Sequence, residues 1–267
     1  MDLTQLAKLI RLSALRMALN CGKNGSHLGA GLSAVEIFAA LYGKVLRYNV
    51  KEYEKETRDR LVVSKGHCVL SYYSALHWAG FLTDEDVGGF EVNGSHFHGH
   101  AMRNLQKGIE FSGGSLSMGM SFAGGVALAC KKKGLNSRVY VLVGDGECDE
   151  GLVWESAMSA ASFGLNNFYV IVDQNKLQYD GLTADVMNQL DLGEKFRSFG
   201  FEVREVNGHD PIALADVLDK PSDKPVCVIA DTIKGKGVSF MEGKKEWHHH
   251  TLTEDQYCLA KAEVENA

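Results

Sequence analysis

Apolar positions follow helical spacing in the first third of the chain and strand-like runs in its second half. In residues 4–20 they recur at Leu6, Leu9, Ile10, Ala14 and Met17, the spacing of one helix face, and Gly22 and Gly25 stop the pattern. A second helix is expected from Ser33 to Tyr42, with Ser33 as N-cap three residues before Glu36. Arg60–Ser64 (RLVVS) predicts a short strand, and Cys68–Ala79 a helix ended by Gly80. Residues 88–115 are irregular and rich in Gly, His and Ser, and a helix rich in small residues follows from Met118 to Lys132. Its Gly and Ala positions suit close backbone packing.

From Val139 onward the pattern alternates regularly. Strands are predicted at Val139–Val143 (VYVLV), Phe168–Val172 (FYVIV), Phe201–Val206 and Val226–Ala230. Helices are predicted between them at Leu152–Phe163, Asp191–Phe199 and Ile212–Leu218, with a last helix at Thr253–Val264. Near-continuous apolar strands separated by helices imply an α/β, three-layer fold with a mainly parallel sheet covered on both faces. Ligands in such sheets bind beyond the carboxyl ends of the strands.

The chain has 267 residues, enough for one large domain over 1–267, and nothing in it reads as a linker. A formal net charge of -6 argues against a nucleic-acid surface. Lys131-Lys132-Lys133 ends a helical pattern, where cations suit the helix dipole. The six cysteines form no CxxC pair and are too widely spaced for a disulfide scaffold, so reduced thiols in a cytoplasmic protein are expected. The N-terminal stretch carries scattered charge, unlike a signal peptide or a membrane span.

Candidate chemistry begins where two strands end. Gly144-Asp145-Gly146 follows VYVLV, and Asp173-Gln174-Asn175 follows FYVIV. One Gly-Asp-Gly alone is an ordinary turn. Two polar clusters at consecutive strand ends place a carboxylate, Asp145, and an amide oxygen, Asn175, on one sheet edge. These are hard ligands for Mg²⁺ or Ca²⁺, with phosphate oxygens completing the shell. The flanking glycines let a phosphate approach the backbone, so a metal-bridged diphosphate is expected.

The stretch GDGECDEGLVWESAMSAASFGLNNFYVIVDQNK resembles the signature of thiamine-diphosphate enzymes, and its Glu150-Gly151 and "WE" helix resemble transketolase in particular. Further segments match in order: Ser26-His27-Leu28-Gly29 (GHPG in the family), Ser64-Lys65-Gly66-His67, Gly99-His100 and Gly113-Gly114-Ser115-Leu116. Lys234–Phe240 (KGKGVSF) followed by Trp247-His248 resembles two-gene transketolases. The motifs are short; their joint order carries the specificity.

The resemblance implies a thiamine-diphosphate-binding (PP-type) fold and a role for each matching residue. Asp145, Asn175 and the carbonyl of Leu177 would bind the metal. Gly144, Gly146 and His67 would meet the diphosphate, and Gly114, Ser115 and Leu116 the aminopyrimidine ring. Glu150 would face the subunit contact. His27, His67, His100 and His248 would surround the reacting centre, where imidazoles can move protons near neutral pH. The activating glutamate lies in a second domain in this family. A C-terminal transketolase subunit is therefore expected to supply it, in an α2β2 heterotetramer acting on sugar phosphates. The loop SGGSLSMG departs from the family at Ser117 and Met118, usually Gly-Gln, and His249 stands where Gly usually follows Trp-His. His248 is taken as the cofactor-facing histidine by register.

Other readings compete. A deoxyxylulose-phosphate-synthase-like enzyme shares GDG and similar histidines, but KGKGVSF…WH favours transketolase. A non-catalytic cofactor-binding module is disfavoured by the intact metal pair and histidine set. Gly29–Ala34 formally matches GxGxxA, yet no strand precedes it, so a Rossmann site lacks its context. His96, His98 and His100 alternate on one face of an extended chain, but no cysteine or carboxylate at ligand spacing supports zinc. His77 and His209 are read as structural. Internal His248-His249-His250 is not a tag.

Overall fold

The computed structural model describes residues 1–267. Its sheet has five parallel strands: β1 (Arg60–Val63), β2 (Val139–Gly144), β3 (Phe168–Gln174), β4 (Glu202–Asn207) and β5 (Val226–Asp231). Their spatial order is β1-β2-β3-β5-β4, so β5 inserts between β3 and the edge strand β4. The helices are α1 (Leu3–Asn20), α2 (Leu28–Ser33), α3 (Val35–Ala40), α4 (Val69–Trp78), α5 (Asp84–Gly88), α6 (Met118–Lys132), α7 (Gly151–Ser162), α8 (Thr183–Val186), α9 (Leu192–Ser198), α10 (Pro211–Asp219) and α11 (Glu254–Asn266).

Strand side chains alternate between two cores, as the pleat requires. Tyr140, Leu142, Tyr169 and Ile171 join the larger cluster with α1, α3, α4, α10 and α11. Val139, Val141, Val143, Phe168, Val170 and Val172 join the second, with α6, α7 and α9. Each such buried side chain contributes about 1.5–3 kcal/mol, which is why these runs contain no polar residue until the strand ends. The sheet therefore has helices on both faces, as the apolar runs predict.

Caps fix several helix ends: Asp2 accepts from the Gln5 N–H at 2.8 Å, Asp210 caps α10 ahead of Pro211, and Thr253 with Gln256 forms a capping box on α11. Lys131 donates to the Phe163 and Gly164 carbonyls at the end of α7, giving the lysine run a structural task. No helix is long and apolar enough to cross a membrane.

The helix expected to start at Ser33 is a correction. Ser33 ends α2, and α3 begins at Val35 after a break at Ala34. The Ser33 hydroxyl caps nothing, because the Asp173 carboxylate captures it at 2.6 Å. Glu36, the supposed partner in that cap, instead binds Arg11 and contacts His209 Nδ1 at 3.1 Å. Buried ionic partners override a local capping signal. The Gly29–Ala34 segment lies in or at the end of α2, which follows a short 3₁₀ turn at Gly22–Asn24.

Candidate active site

β3 continues two residues beyond the apolar run, so Asp173 lies on the strand, in register with Gly144 of β2. Asp145 and Asn175 then leave the sheet at neighbouring carboxyl ends. The Asp145 carboxylate accepts from the N–H groups of Gly146 (2.9 Å) and Lys176 (2.5 Å). The Asn175 side-chain oxygen accepts from Leu177 N–H at 3.1 Å, and the Leu177 carbonyl accepts from Lys234 Nζ at 2.8 Å. Asp145, Asn175 and Leu177 all line one cleft of about 270 Å³. Burial, and then the neighbouring Asp173 charge, push the Asp145 carboxyl up to about 6. A cation at this carboxylate would relieve both effects. The donor chemistry suits Mg²⁺: a carboxylate, an amide oxygen and a carbonyl, with the remaining positions left to phosphate oxygens.

Two buried acids that sequence reasoning missed hold the floor of the cleft. Asp173 is fully buried against Lys65, itself fully buried, and accepts from the hydroxyls of Ser33 and Thr232. Burial alone would raise the Asp173 carboxyl, but Lys65 outweighs it and holds it low; Lys65 is raised in turn, chiefly by Asp173 against the opposing effect of burial. Glu147 accepts from Gly144 N–H (2.9 Å), from Ser117 N–H (2.6 Å) and from the Ser64 hydroxyl. It thereby ties three segments together: the β2 end, the loop before α6, and the end of β1. Gly66 completes the junction, since a Cβ there would stand 2.9 Å from Gly114 N. Lys65 and Glu147 lie inside recognisable motifs, but nothing in the sequence shows that a pair spans the sheet.

Five imidazoles converge above this floor. His27 stands 5.7 Å from His67, 5.5 Å from His100, 5.6 Å from His248 and 4.6 Å from His249, centroid to centroid. His67 stacks on His248 at 5.2 Å. Burial and neighbouring imidazoles lower His27 to about 4. Burial and the Lys234 charge lower His248 to about 3. His67 and His100 also move down, mainly through burial. Near pH 7 these rings are neutral and can each accept one proton and donate another. Lys234 Nζ lies 3.1 Å from His248 Nδ1. An ammonium can only donate, which leaves the His248 proton on Nε2. Lys234, another residue missed from sequence, is 1% exposed, and burial together with Lys65 lowers it to about 8.

The family described as "Transketolase, thiamine diphosphate binding domain" matches residues 3–265. The chain belongs to this family. It is 39% identical over 267 residues to one of the two subunits of an apulose-4-phosphate transketolase from Actinobacillus succinogenes, covering 99% of this chain and 96% of that one. It is 36% identical over 268 residues to "6-deoxy-6-sulfo-D-fructose transketolase subunit SqwG" of Clostridium sp., covering 99% and 96%. Among solved structures, transketolase from Leishmania mexicana superposes with a TM-score of 0.91 at 28% identity, covering 99% of this chain and 41% of that one. The chain thus spans about two fifths of that full-length transketolase and nearly all of the two subunit relatives.

Most of the residues singled out from the sequence as a transketolase site meet in the cleft. His27, His67, His100, Gly114, Leu116, Gly144, Asp145, Gly146, Asn175, Leu177 and His248 all line it. Ser115 and Glu150 do not; both are exposed, Glu150 at the head of α7. Of the triple histidine, His248 lines the cleft, while His250 packs on Trp247 with ring centroids 4.8 Å apart. His77 contacts Asp84 at 2.9 Å, and His209 receives the Ile233 N–H at 2.8 Å, both away from the cleft. No group of three or more His, Cys, Asp or Glu side chains is arranged to hold a metal, which removes zinc at His96, His98 and His100. All six cysteines are free thiols.

Proposed function

We propose that this chain is the diphosphate-binding subunit of a split transketolase, moving a two-carbon ketol unit from a ketose phosphate to an aldose phosphate. One observation carries the reading: three oxygen donors suited to Mg²⁺ and four imidazoles share a single cleft. Asp145, Asn175 and the Leu177 carbonyl hold the metal, while Gly144, Gly146, His67 and Lys234 receive the diphosphate. Gly114, Ser115 and Leu116 flank the aminopyrimidine. Bound thiamine diphosphate supplies the carbanion-stabilising centre. The chain's own part is proton management: neutral His27, His100 and His248 accept and return protons on substrate hydroxyls, with His248 presenting Nε2–H.

Completion by a second chain fits the surface beside the cleft. Leu116, Met118 and Phe122 expose large apolar side chains there, at 37%, 52% and 37%. A soluble enzyme covers such a surface. The partner, a C-terminal transketolase subunit, contributes the activating glutamate, Glu150 lies at the contact, and the assembly is α2β2. Reduced thiols agree with a cytoplasmic location.

The test is ketol transfer from xylulose 5-phosphate to ribose 5-phosphate, with thiamine diphosphate and Mg²⁺. It is run with this chain alone and with the polypeptide encoded beside its gene. Activity only in the mixture is expected. Activity of the chain alone refutes the shared site; silence in the mixture across a panel of ketose phosphates refutes transketolase chemistry.

A further inference from the structure

Beside the cleft lies a second cavity of about 420 Å³, lined among others by Ser26, Glu91, His98 and His249. At about 30 Å³ per water it has room for several hydroxyl-bearing carbons. His27 and His100 line both spaces, so they form the partition between the cofactor cleft and this cavity. A substrate whose reacting carbon sits against those two rings can extend its remaining chain into the second space.

Two departures from the family pattern meet on its wall. Ser26 stands where the GHPG segment begins with Gly, and His249 where Gly usually follows Trp-His. The fold places them together: Ser26 and His250 exchange both backbone hydrogen bonds at 3.0 Å as an isolated antiparallel bridge. The His249 ring then lies over Gly25, where a Cβ would stand 3.1 Å from its Cε1, and 4.6 Å from His27. Ser26 is 5% exposed, yet its hydroxyl has no hydrogen-bond partner. The adjacent Cys21 thiol does not supply one, because it donates to Met17 O at 3.4 Å. A buried hydroxyl without a partner costs about 1–3 kcal/mol, and a ligand oxygen here would remove that cost.

Charge narrows the occupant. Glu91 presents its carboxylate on this wall, steadied by the Gly99 N–H, and the lining contains no lysine or arginine. Glu91 sits at φ 56°, a left-handed conformation disfavoured for a residue with a Cβ. An anion is repelled by such a wall, whereas a sugar hydroxyl can donate to the carboxylate and accept from an imidazole.

We propose that this cavity is a subsite for uncharged hydroxyls of the ketose donor, with Ser26 and Glu91 binding them and His249 setting which donor chains fit. The proposal rests on the transketolase reading above. The test uses the holoenzyme reconstituted with its partner subunit. Values of kcat and KM are measured for hydroxypyruvate, a three-carbon donor too short to enter the cavity, and for the ketose phosphate used best. Ser26→Ala and Glu91→Gln are expected to lower kcat/KM for the ketose about 3- to 10-fold more than for hydroxypyruvate, mostly through KM, as loss of one neutral hydrogen bond implies. His249→Gly, which opens the wall, should reorder the donor panel. Equal effects on both donors, or an unchanged panel, overturn the subsite while leaving the transketolase reading intact. A wild-type enzyme using hydroxypyruvate but no ketose also overturns it. Inactivity on every donor sinks the functional reading and the subsite with it.

Discussion

Lys65 and Asp173 form a fully buried ion pair under the cleft, and removing the cation alone is the most informative single perturbation of the fold. Lys65→Met keeps length and most of the volume but leaves a carboxylate in the core. Breaking one side of a buried pair costs about 3–5 kcal/mol. Ser33 and Thr232 still donate to Asp173, which places this case near the lower end, about 3 kcal/mol. For a chain of this size that is roughly 6–12 °C in midpoint.

The pH dependence separates this cause from simple loss of packing. In the wild type, Asp173 is held below its ordinary value. Its stabilisation is therefore present above the unfolded value, about 3.9, and is lost as pH falls through the folded one. Without Lys65, burial dominates and the carboxyl rises, so the folded variant binds more protons than its unfolded chain. Its stability then falls as pH rises, by up to about 1.4 kcal/mol per unit. Urea unfolding of both proteins between pH 5 and 8 reads the difference, and the deficit should be largest at the alkaline end. The double variant Lys65→Met, Asp173→Leu should recover much of the loss, because neither charge remains. A deficit below about 1 kcal/mol, or one flat across that range, refutes the argument that the pair is interdependent.

Other consequences follow from the same geometry. Asp145→Asn should abolish the Mg²⁺-dependent thermal stabilisation by thiamine diphosphate, and a retained shift would remove Asp145 from the metal site. With Asp145 raised to about 6, its proton competes with the metal, so that stabilisation should weaken at least several-fold from pH 7 to pH 5 in a thermal-shift series. His27 and His248 are lowered to about 4 and 3, so their folded forms bind fewer protons than the unfolded chain between those values and 6.5. They add stability above pH 6.5 and lose it as pH falls; NMR should show both rings neutral at pH 6, and an imidazolium there contradicts the reading. Ser117 sits at φ 69°, so Ser117→Gly should raise stability by roughly 0.5–1 kcal/mol in urea unfolding, since its contact to Glu147 is made by the backbone.

The sheet was legible because burial on both faces leaves an unmistakable apolar run at VYVLV and FYVIV. Sequence order could not show that β5 slots between β3 and β4, since that depends on α10 covering the opposite face from α9. The ends of strands were harder for the same reason. FYVIV stops being apolar at Asp173, yet the strand continues, because Lys65 neutralises the carboxylate from a segment over a hundred residues earlier. A pattern of hydrophobicity reads the solvent's preference for each residue; it cannot read a partner that arrives by folding.

The site shows the same division. Asp145, Asn175 and the histidines were legible because their chemistry is exposed to a ligand and needs particular donor types at strand ends. Glu147 and Lys234 were not, because their work is done toward the protein. Glu147 joins three backbone segments, and Lys234 fixes a tautomer while meeting the Leu177 carbonyl. Ser26 and His249 fall between these classes. Each was readable as a departure from a motif, but what joins them is one backbone bridge between residues 26 and 250. That bridge places an unpartnered hydroxyl and an extra imidazole on one wall, beside rings that face the reacting centre. A substitution of Gly by a side chain at either position alone would fill space; at both, across a bridge, it builds a surface with donors and acceptors of its own. Selectivity for the donor chain can therefore reside in this polypeptide and not in its partner alone.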